Sequence, residues 1–196
     1  MQKLTPEIEQ RLRAGFKVLN KFMLLMWRLG LGWMLNIWPA GFGRIMVITH
    51  TGRKSRLQRR TPLNYAEVDG EIYCTAGFGQ ISDWYRNIMA NPAVEVWLPG
   101  RPDRWWTGVA EDISGSPQRM ALLREVLIAS GFAARAVGIN PVKASDEALA
   151  HVCADYRLLH IRRGEARTGP SGPGDLAWVW PILVMAWLVR PRRRKG

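Results

Sequence analysis

Residues 45–75 read IMVITHTGRKSRLQRRTPLNYAEVDGEIYCT, and this stretch decides the fold. Ile45 to Thr49 is a short β-branched run, Thr51 to Leu57 is a basic turn centred on Gly52, and Arg59 to Val68 is a second extended run. Asp69-Gly70 is a hairpin signal, and Glu71 to Thr75 supplies a third strand. Three consecutive antiparallel strands are predicted. Downstream, Ala76 to Ile81 is a Gly-interrupted loop, and a short helix capped by Ser82 runs to Met89 and stops before Asn91-Pro92. Strands Ala93 to Leu98 and Arg104 to Asp112 flank the turn Pro99-Gly100-Arg101-Pro102. Residues 116–130 pattern as a helix, 132–150 as helix or loop, and Val152 to Arg162 as a last strand. The expected class is α+β, an antiparallel barrel or sheet with inserted helices.

The composition agrees with one folded domain. The chain has 196 residues, 47% hydrophobic and 22% charged, which is too apolar and too evenly mixed for a disordered chain. Cys74 and Cys153 are too few and too far apart for a disulfide scaffold or a Cys-based zinc site, and read as small buried hydrophobes. His50, His151 and His160 have no metal-binding spacing, so no metal is implied.

The formal net charge is +12, but it is concentrated. Residues 1–40 carry 6 basic and 2 acidic side chains, residues 41–60 carry 6 and none, and residues 190–196 carry 5 and none. The remaining residues hold 11 basic and 14 acidic side chains, so the body is slightly negative. Three local basic clusters fit a uniformly basic nucleic-acid-binding domain poorly, and no nucleic-acid partner is expected.

Both chain ends combine these charges with tryptophan. Trp27, Trp33 and Trp38 lie near the start, and Trp178, Trp180 and Trp187 near the end, a pattern of membrane interfaces. Thr5-Pro6 reads as a helix start. In the helix that follows, Leu12, Phe16, Leu19, Met23, Met26 and Trp27 share one face, with Arg13, Lys17, Lys21 and Arg28 roughly 130° away. Such an amphipathic basic helix packs on its own domain, lies on a membrane, or does both in turn. At the other end, Leu176 to Val189 is an apolar run interrupted by Pro181, covering roughly 21 Å as a helix against a hydrocarbon core of about 30 Å. It is too short to cross comfortably. It ends in Arg190, Arg192, Arg193, Arg194 and Lys195, each worth about 1 kcal/mol of attraction close to anionic lipid. It reads as an interfacial anchor or as a helix docked on the domain or on a second subunit. Gly164 to Gly174, rich in Gly, Pro and charge, reads as a flexible linker. No signal peptide is evident.

The chemistry-bearing stretch is Thr51-Gly52-Arg53-Lys54-Ser55, with Arg56, Arg59 and Arg60 shortly after. A tight Gly turn with hydroxyls, exposed N–H groups and guanidinium forks suits a phosphate or carboxylate, although a solvated hairpin tip would read the same. Neither the Walker pattern nor G-x-G-x-x-G is present. A second loop, Thr75-Ala76-Gly77-Phe78-Gly79-Gln80-Ile81-Ser82, has small residues after a strand and leads into a helix N-terminus. Two anion-competent loops in one small barrel point to one extended anionic ligand.

Taken together, T-G-R-K-S at 51–55, T-P-L at 61–63 before the D-G hairpin, and W-Y-x-N-x-x-A-N-P from Trp84 resemble the deazaflavin-dependent nitroreductase family, a branch of the flavin/deazaflavin oxidoreductases. The likeness is close over residues 44–112 and looser from the N-terminal helix to Arg162. It implies a split β-barrel of about six antiparallel strands with an N-terminal amphipathic helix and inserted helices. It also implies a site for reduced coenzyme F420, an 8-hydroxy-5-deazaflavin with a phosphate and an acidic polyglutamate tail. On that resemblance Arg53, Lys54, Ser55 and Arg59 form the anion-binding turn that holds the phosphate and tail, and Thr51, Gly52 and Thr61 are also cofactor-binding. Thr75, Ala76, Gly77 and Gly79 run along the cofactor. Trp84, Tyr85 and Asn87 either touch it or pack the helix on the barrel, with Asn87 tying down loop backbone. Two departures stand out: the family usually has Gly where Arg56 stands, and related members often carry Lys or a Gly pair at residues 76–79.

A deazaflavin supplies the hydride itself, so the protein need only orient it and exclude water. The proton for the reduced acceptor comes from solvent or from Tyr65 or Tyr85; His50 reads as structural. The acceptor pocket is expected beneath the N-terminal helix and residues 130–145, where Phe132, Val137 and Ile139 suit a hydrophobic quinone or nitroaromatic. The expected organisation is an N-terminal helix over 1–40, a cofactor-binding barrel over 41–163, a linker over 164–175 and a hydrophobic, basic tail over 176–196. The expected setting is cytoplasmic, peripheral on the inner face of the cell membrane, and the resemblance implies a homodimer. The other readings are a non-catalytic barrel holding a flavin, tetrapyrrole or fatty acid, and a lipid- or nucleic-acid-binding surface on an inert scaffold.

Overall fold

The computed structural model describes residues 6–36, 43–100, 105–131, 134, 135, 138 and 140–189. Six antiparallel strands close into a barrel: β1 (Ile45–Thr51), β2 (Gln58–Val68), β3 (Glu71–Ala76), β4 (Ala93–Trp97), β5 (Trp105–Asp112) and β6 (Arg157–Ala166). Their order around it is β1-β2-β3-β6-β5-β4, with β4 returning to β1. The helices are α1 (Pro6–Arg28), α2 (Asp83–Ala90), α3 (Arg119–Ala129), α4 (Asp146–Val152) and α5 (Val179–Leu188), with short 3₁₀ turns at Gly32–Asn36 and Gly79–Ile81.

Local chemistry accounts for most of these elements. Asp69 and Gly70 both adopt positive φ, +53° and +82°, as the tightest β-hairpin turn requires. β1 is buried on both faces, which is why it reads as a continuous apolar run. Met46 and Ile48 enter the barrel core with Tyr65, Cys74, Val96, Trp106 and Leu159. Val47 faces outward into a layer of Trp27, Trp97 and Trp105. Cys74 and Cys153 are free and buried, and burial pushes the Cys74 thiol up to about 12.

α1 uses its two faces differently. Met23 and Trp27 are buried, and the Trp27 and Trp97 rings lie 6.3 Å apart. Val18, Phe22 and Leu25, at helical spacing on another face, are exposed, as is Leu19.

Three expectations from the sequence change. The last strand begins at Arg157 rather than Val152, because Val152 ends α4, whose Leu149 and the following Cys153 pack on Leu123 and Leu127 of α3. β6 then runs to Ala166, opposite Trp106, into the stretch read as a linker. The rest of that stretch is tied down. The Arg60 guanidinium donates to the Ser171 carbonyl (2.7 Å), and the N–H groups of Gly174 and Leu176 donate to the carbonyls of Trp27 (3.0 Å) and Arg28 (2.8 Å). Asp175 accepts from Arg28 Nε at 3.0 and 3.1 Å. It therefore acts as a strap across the end of α1. Pro181 does not break α5 but sits in its first turn, where a missing N–H is tolerated. Phe132, Val137 and Ile139 lie outside the described residues.

Candidate active site

Strand direction alone gathers the candidate residues. β1, β3 and β5 end, and β2, β4 and β6 begin, at one mouth of the barrel, so the basic turn, α2 with its leading loop, and the 153–157 segment all sit there. The opposite end carries the Asp69-Gly70 hairpin and the strap.

The basic turn is closed by its own backbone. Gly52 N–H donates to Leu57 carbonyl and Arg56 N–H to Gly52 carbonyl, both at 2.8 Å. A Cβ on Gly52 would lie 2.7 Å from Ser55 Oγ and 3.0 Å from Arg59 Nε, so any larger residue would displace the Ser55 hydroxyl and crowd the Arg59 guanidinium. Arg56 has φ +58°, the left-handed region that favours glycine, which gives a backbone reason for the family's glycine there. Ser55 Oγ accepts from Leu57 N–H and from Arg59 Nη2, each at 3.4 Å, and Thr51 Oγ1 accepts from Gln58 Nε2 at 3.2 Å.

α2 braces this turn from below. Asn87 is buried, and its Oδ1 accepts from Arg53 N–H (3.1 Å) and Arg53 Nη1 (3.0 Å). Arg53 Nη2 also donates to Asp83 Oδ1 at 3.1 Å. With Oδ1 so occupied, Asn87 Nδ2 donates toward His50 Nδ1 at 3.4 Å, and the proton left on His50 Nε2 points to Thr61 Oγ1 at 3.1 Å. His50 is buried, and burial first, then the Arg59 charge, lower its pKa to about 4. It is a neutral structural histidine, as its sequence context suggests. Asn87 ties down loop backbone, and Arg53 is engaged with α2, which leaves Lys54, Arg56 and Arg59 exposed on the turn.

The second loop is shaped as much by its neighbours as for a ligand. Thr75 and Ala76 pair with Leu158 and Arg157. Gly79 has φ +57°, and a Cβ there would lie 2.3 Å from the Asp155 carbonyl oxygen, while one on Gly77 would meet the Tyr156 ring at 3.6 Å. Phe78 lies edge-on to Phe16 of α1, ring centres 6.2 Å apart, so α1 reaches this rim. Ser82 precedes α2 without a side-chain cap bond, and Asp83 already occupies its first turn. The helix N-terminus is thus already met by the chain's own carboxylate, whereas the turn at 51–59 presents exposed cations with no carboxylate within it.

The two tyrosines are placed apart. Tyr65 is buried in the barrel core beside Cys74. Tyr85 is buried with its hydroxyl donating to Asp112 Oδ2, and burial, then that bond and the Asp112 charge, push it up to about 12. Burial raises the Asp112 pKa, but hydrogen bonds from Ser114 and Tyr85 and the Arg157 charge outweigh it, holding the carboxylate below its usual range. Trp84 packs on the core, edge-on to Tyr85 at 6.5 Å.

Sequence patterning does not single out Arg157. Opposite Ala76 at the same mouth, its Nε is buried with no hydrogen-bond partner among the described residues. Exposed cations on a glycine-closed turn, with this orphaned donor at the same end of the barrel, fit a ligand bearing phosphate and carboxylates.

Comparison with known proteins bears on that ligand. A family model described as F420H(2)-dependent quinone reductase matches residues 34–143. Similar solved structures include an F420 reductase (18% identity, 64% of this chain and 90% of that one, TM-score 0.43). Another is an F420-H2 dependent reductase (20% identity, 61% and 94%, TM-score 0.41). A haem-storage protein of Vibrio cholerae is also similar (9% identity, 63% and 83%, TM-score 0.44). No curated protein matches the sequence. The family model spans more than half of the chain, over β1 to α3 and both loops of the barrel mouth, and the protein belongs to the F420H(2)-dependent quinone reductase family, oxidoreductases that work with coenzyme F420.

Proposed function

We propose that the protein reduces a lipophilic quinone at the α2-capped mouth of its barrel, working against the face of an anionic membrane. The observation that carries this reading is the braced cationic turn. Asn87 and Asp83 hold Arg53, and Gly52 closes the backbone, so that Lys54, Arg56, Arg59 and the Ser55 hydroxyl stand ready for a polyanionic tail. A site ordered before binding loses less side-chain entropy when the ligand arrives.

When bound, reduced F420 supplies a hydride. The chain's own groups would position and shelter it. Lys54 and Arg59 hold the anionic end, Arg157 offers its buried Nε beside Ala76, and Phe78 with Phe16 covers one side of the rim. His50 and Asn87 keep the turn in register without exchanging protons near neutral pH. Tyr85 is directed at Asp112 and Tyr65 into the core, which favours solvent at the mouth as the source of the acceptor's proton. Nitroaromatics of similar shape fit the same role.

The test is a titration with oxidised and reduced F420, then loss of the reduced form on adding menadione. Tight binding that falls at least tenfold in Lys54→Ala and Arg59→Ala, with menadione-dependent oxidation, supports the reading. Tight binding without turnover supports a binding protein instead, and failure to bind either form overturns the assignment of this mouth.

A further inference from the structure

α5 is apolar around its whole circumference, yet none of its residues is buried; Trp187 is 71% exposed. A helix that is apolar all round belongs in an apolar medium. At ten residues it is about 15 Å long, half of a hydrocarbon core of about 30 Å. Among the described residues no helix is long and apolar enough to cross a membrane.

The strap places α5 beside the end of α1. Leu176 N–H donates to Arg28 carbonyl (2.8 Å), Trp180 Nε1 donates to Leu29 carbonyl (2.8 Å), and Asp175 holds both Arg28 (3.0 Å) and Arg60 (3.6 Å). α1 itself exposes Val18, Phe22 and Leu25, with Val18 71% exposed, and the 3₁₀ turn after it exposes Trp33 and Met34. Lys17 and Lys21 are exposed on the same helix. In sequence the charge flanking these apolar residues has one sign: residues 10–66 and 176–196 contain no Asp or Glu, and Asp175 between them is paired with Arg28 and Arg60. Two copies brought together through such surfaces would oppose cation to cation, whereas anionic lipid would neutralise both.

We infer that α1 and α5 form one composite surface that docks on an anionic bilayer, joined at the Asp175 strap, and that this docking delivers lipid-dissolved quinone to the barrel mouth. The delivery half rests on the proposed function, because α1 meets the loop at the barrel mouth midway along its length, through Phe16 and Phe78. The docking half stands without it.

Flotation of the full chain with vesicles of phosphatidylcholine and phosphatidylglycerol in equal parts tests docking directly. The protein should float with these vesicles, but not with phosphatidylcholine alone, and less as salt is raised. Trp187→Glu on α5 and Val18→Glu on α1, both at exposed positions, should each cut the bound fraction about tenfold. If only one does, the surface is not composite; equal binding to neutral vesicles overturns the charge argument. A lipid-free dimer in sedimentation that both variants dissolve would assign the surface to a second copy and overturn the proposal. For delivery, both variants should keep F420 binding and any turnover of water-soluble menadione, and lose turnover of a long-tailed quinone carried in the vesicles. Equal loss on both quinones overturns delivery. Absence of turnover by wild type on either quinone counts against the functional reading, and flotation still decides docking.

Discussion

Arg59 and Arg60 are neighbours in sequence and belong to different parts of the molecule. Arg59 pairs with His50, on the alternation that points into the barrel mouth, and reaches the Ser55 hydroxyl. Arg60 pairs with Thr49 on the outer face, lies 4.5 Å above the Trp97 ring and is held by Asp175 and the Ser171 carbonyl. At the end away from the mouth, Arg167 and Arg163 likewise lie over Trp105 and Trp106, at 5.5 and 5.6 Å. One cationic region is thus left exposed at the mouth, where the proposed ligand would bind, and the other serves packing. A run of basic residues has no single meaning on a strand, because successive side chains face opposite environments.

The comparison can be broken first on the packing side. Trp97→Ala removes a fully buried ring beneath Arg60 and beside Trp27, and should destabilise the fold by roughly 3–5 kcal/mol in urea denaturation. Next comes the link between barrel and turn. His50 has its pKa held at about 4 against an ordinary 6.5, so the unfolded chain takes up its proton first as pH falls. Stability should be full above about pH 6.5 and fall by up to about 3 kcal/mol as pH drops to about 4. His50→Asn should flatten that slope, and an unchanged slope would remove His50 from the account. Asn87→Ala leaves Arg53 N–H and His50 Nδ1 without their partner, and should cost about 1–3 kcal/mol of stability together with F420 affinity.

Smaller effects sharpen the contrast. Arg59→Ala should weaken F420 binding by about 1.5 kcal/mol, near tenfold, and make it less salt-sensitive, with the melting temperature unchanged. Arg60→Ala should do the reverse, losing about 1 kcal/mol of stability and no F420 affinity, since its cation–π contact and ion pair lie on the outer face. If both variants act on binding alike, the division by strand face is wrong. Smallest is Arg56→Gly, which relieves a left-handed residue and should change stability by less than about 1 kcal/mol, read as a small shift in urea midpoint.

Legibility followed the range of the interactions involved. The Asp69-Gly70 turn, the first three strands and the α2 helix were readable because turn chemistry and side-chain alternation are properties of a few adjacent residues. The basic turn was readable for the same reason, whereas Arg56 stood out only against the family's usual glycine, and its left-handed backbone came from the structure. The role of Asn87 was foreseen only as one of two alternatives, because its bond to Arg53 spans 34 residues. Arg157 carried no signal: its place at the mouth follows from pairing with Ala76 on the neighbouring strand, and its charge acts on Asp112, 45 residues away in sequence. The strap was misread as a loose linker, since Gly, Pro and charge describe its local freedom and say nothing of Trp27, Arg28 and Arg60 waiting to bind it.

The sequence by itself therefore determined the antiparallel strand set, the cationic Gly-centred turn and the apolar, basic ends, all encoded in periodicity and composition over short windows. Tertiary structure alone decided which cations face the mouth and which stack on tryptophan, that Tyr65 is buried in the core while the Tyr85 hydroxyl donates to Asp112, and that the end of α1 meets the strap and α5. Those outcomes depend on strand register and on contacts between residues as far apart as Arg28 and Asp175, which exist only once the barrel has closed.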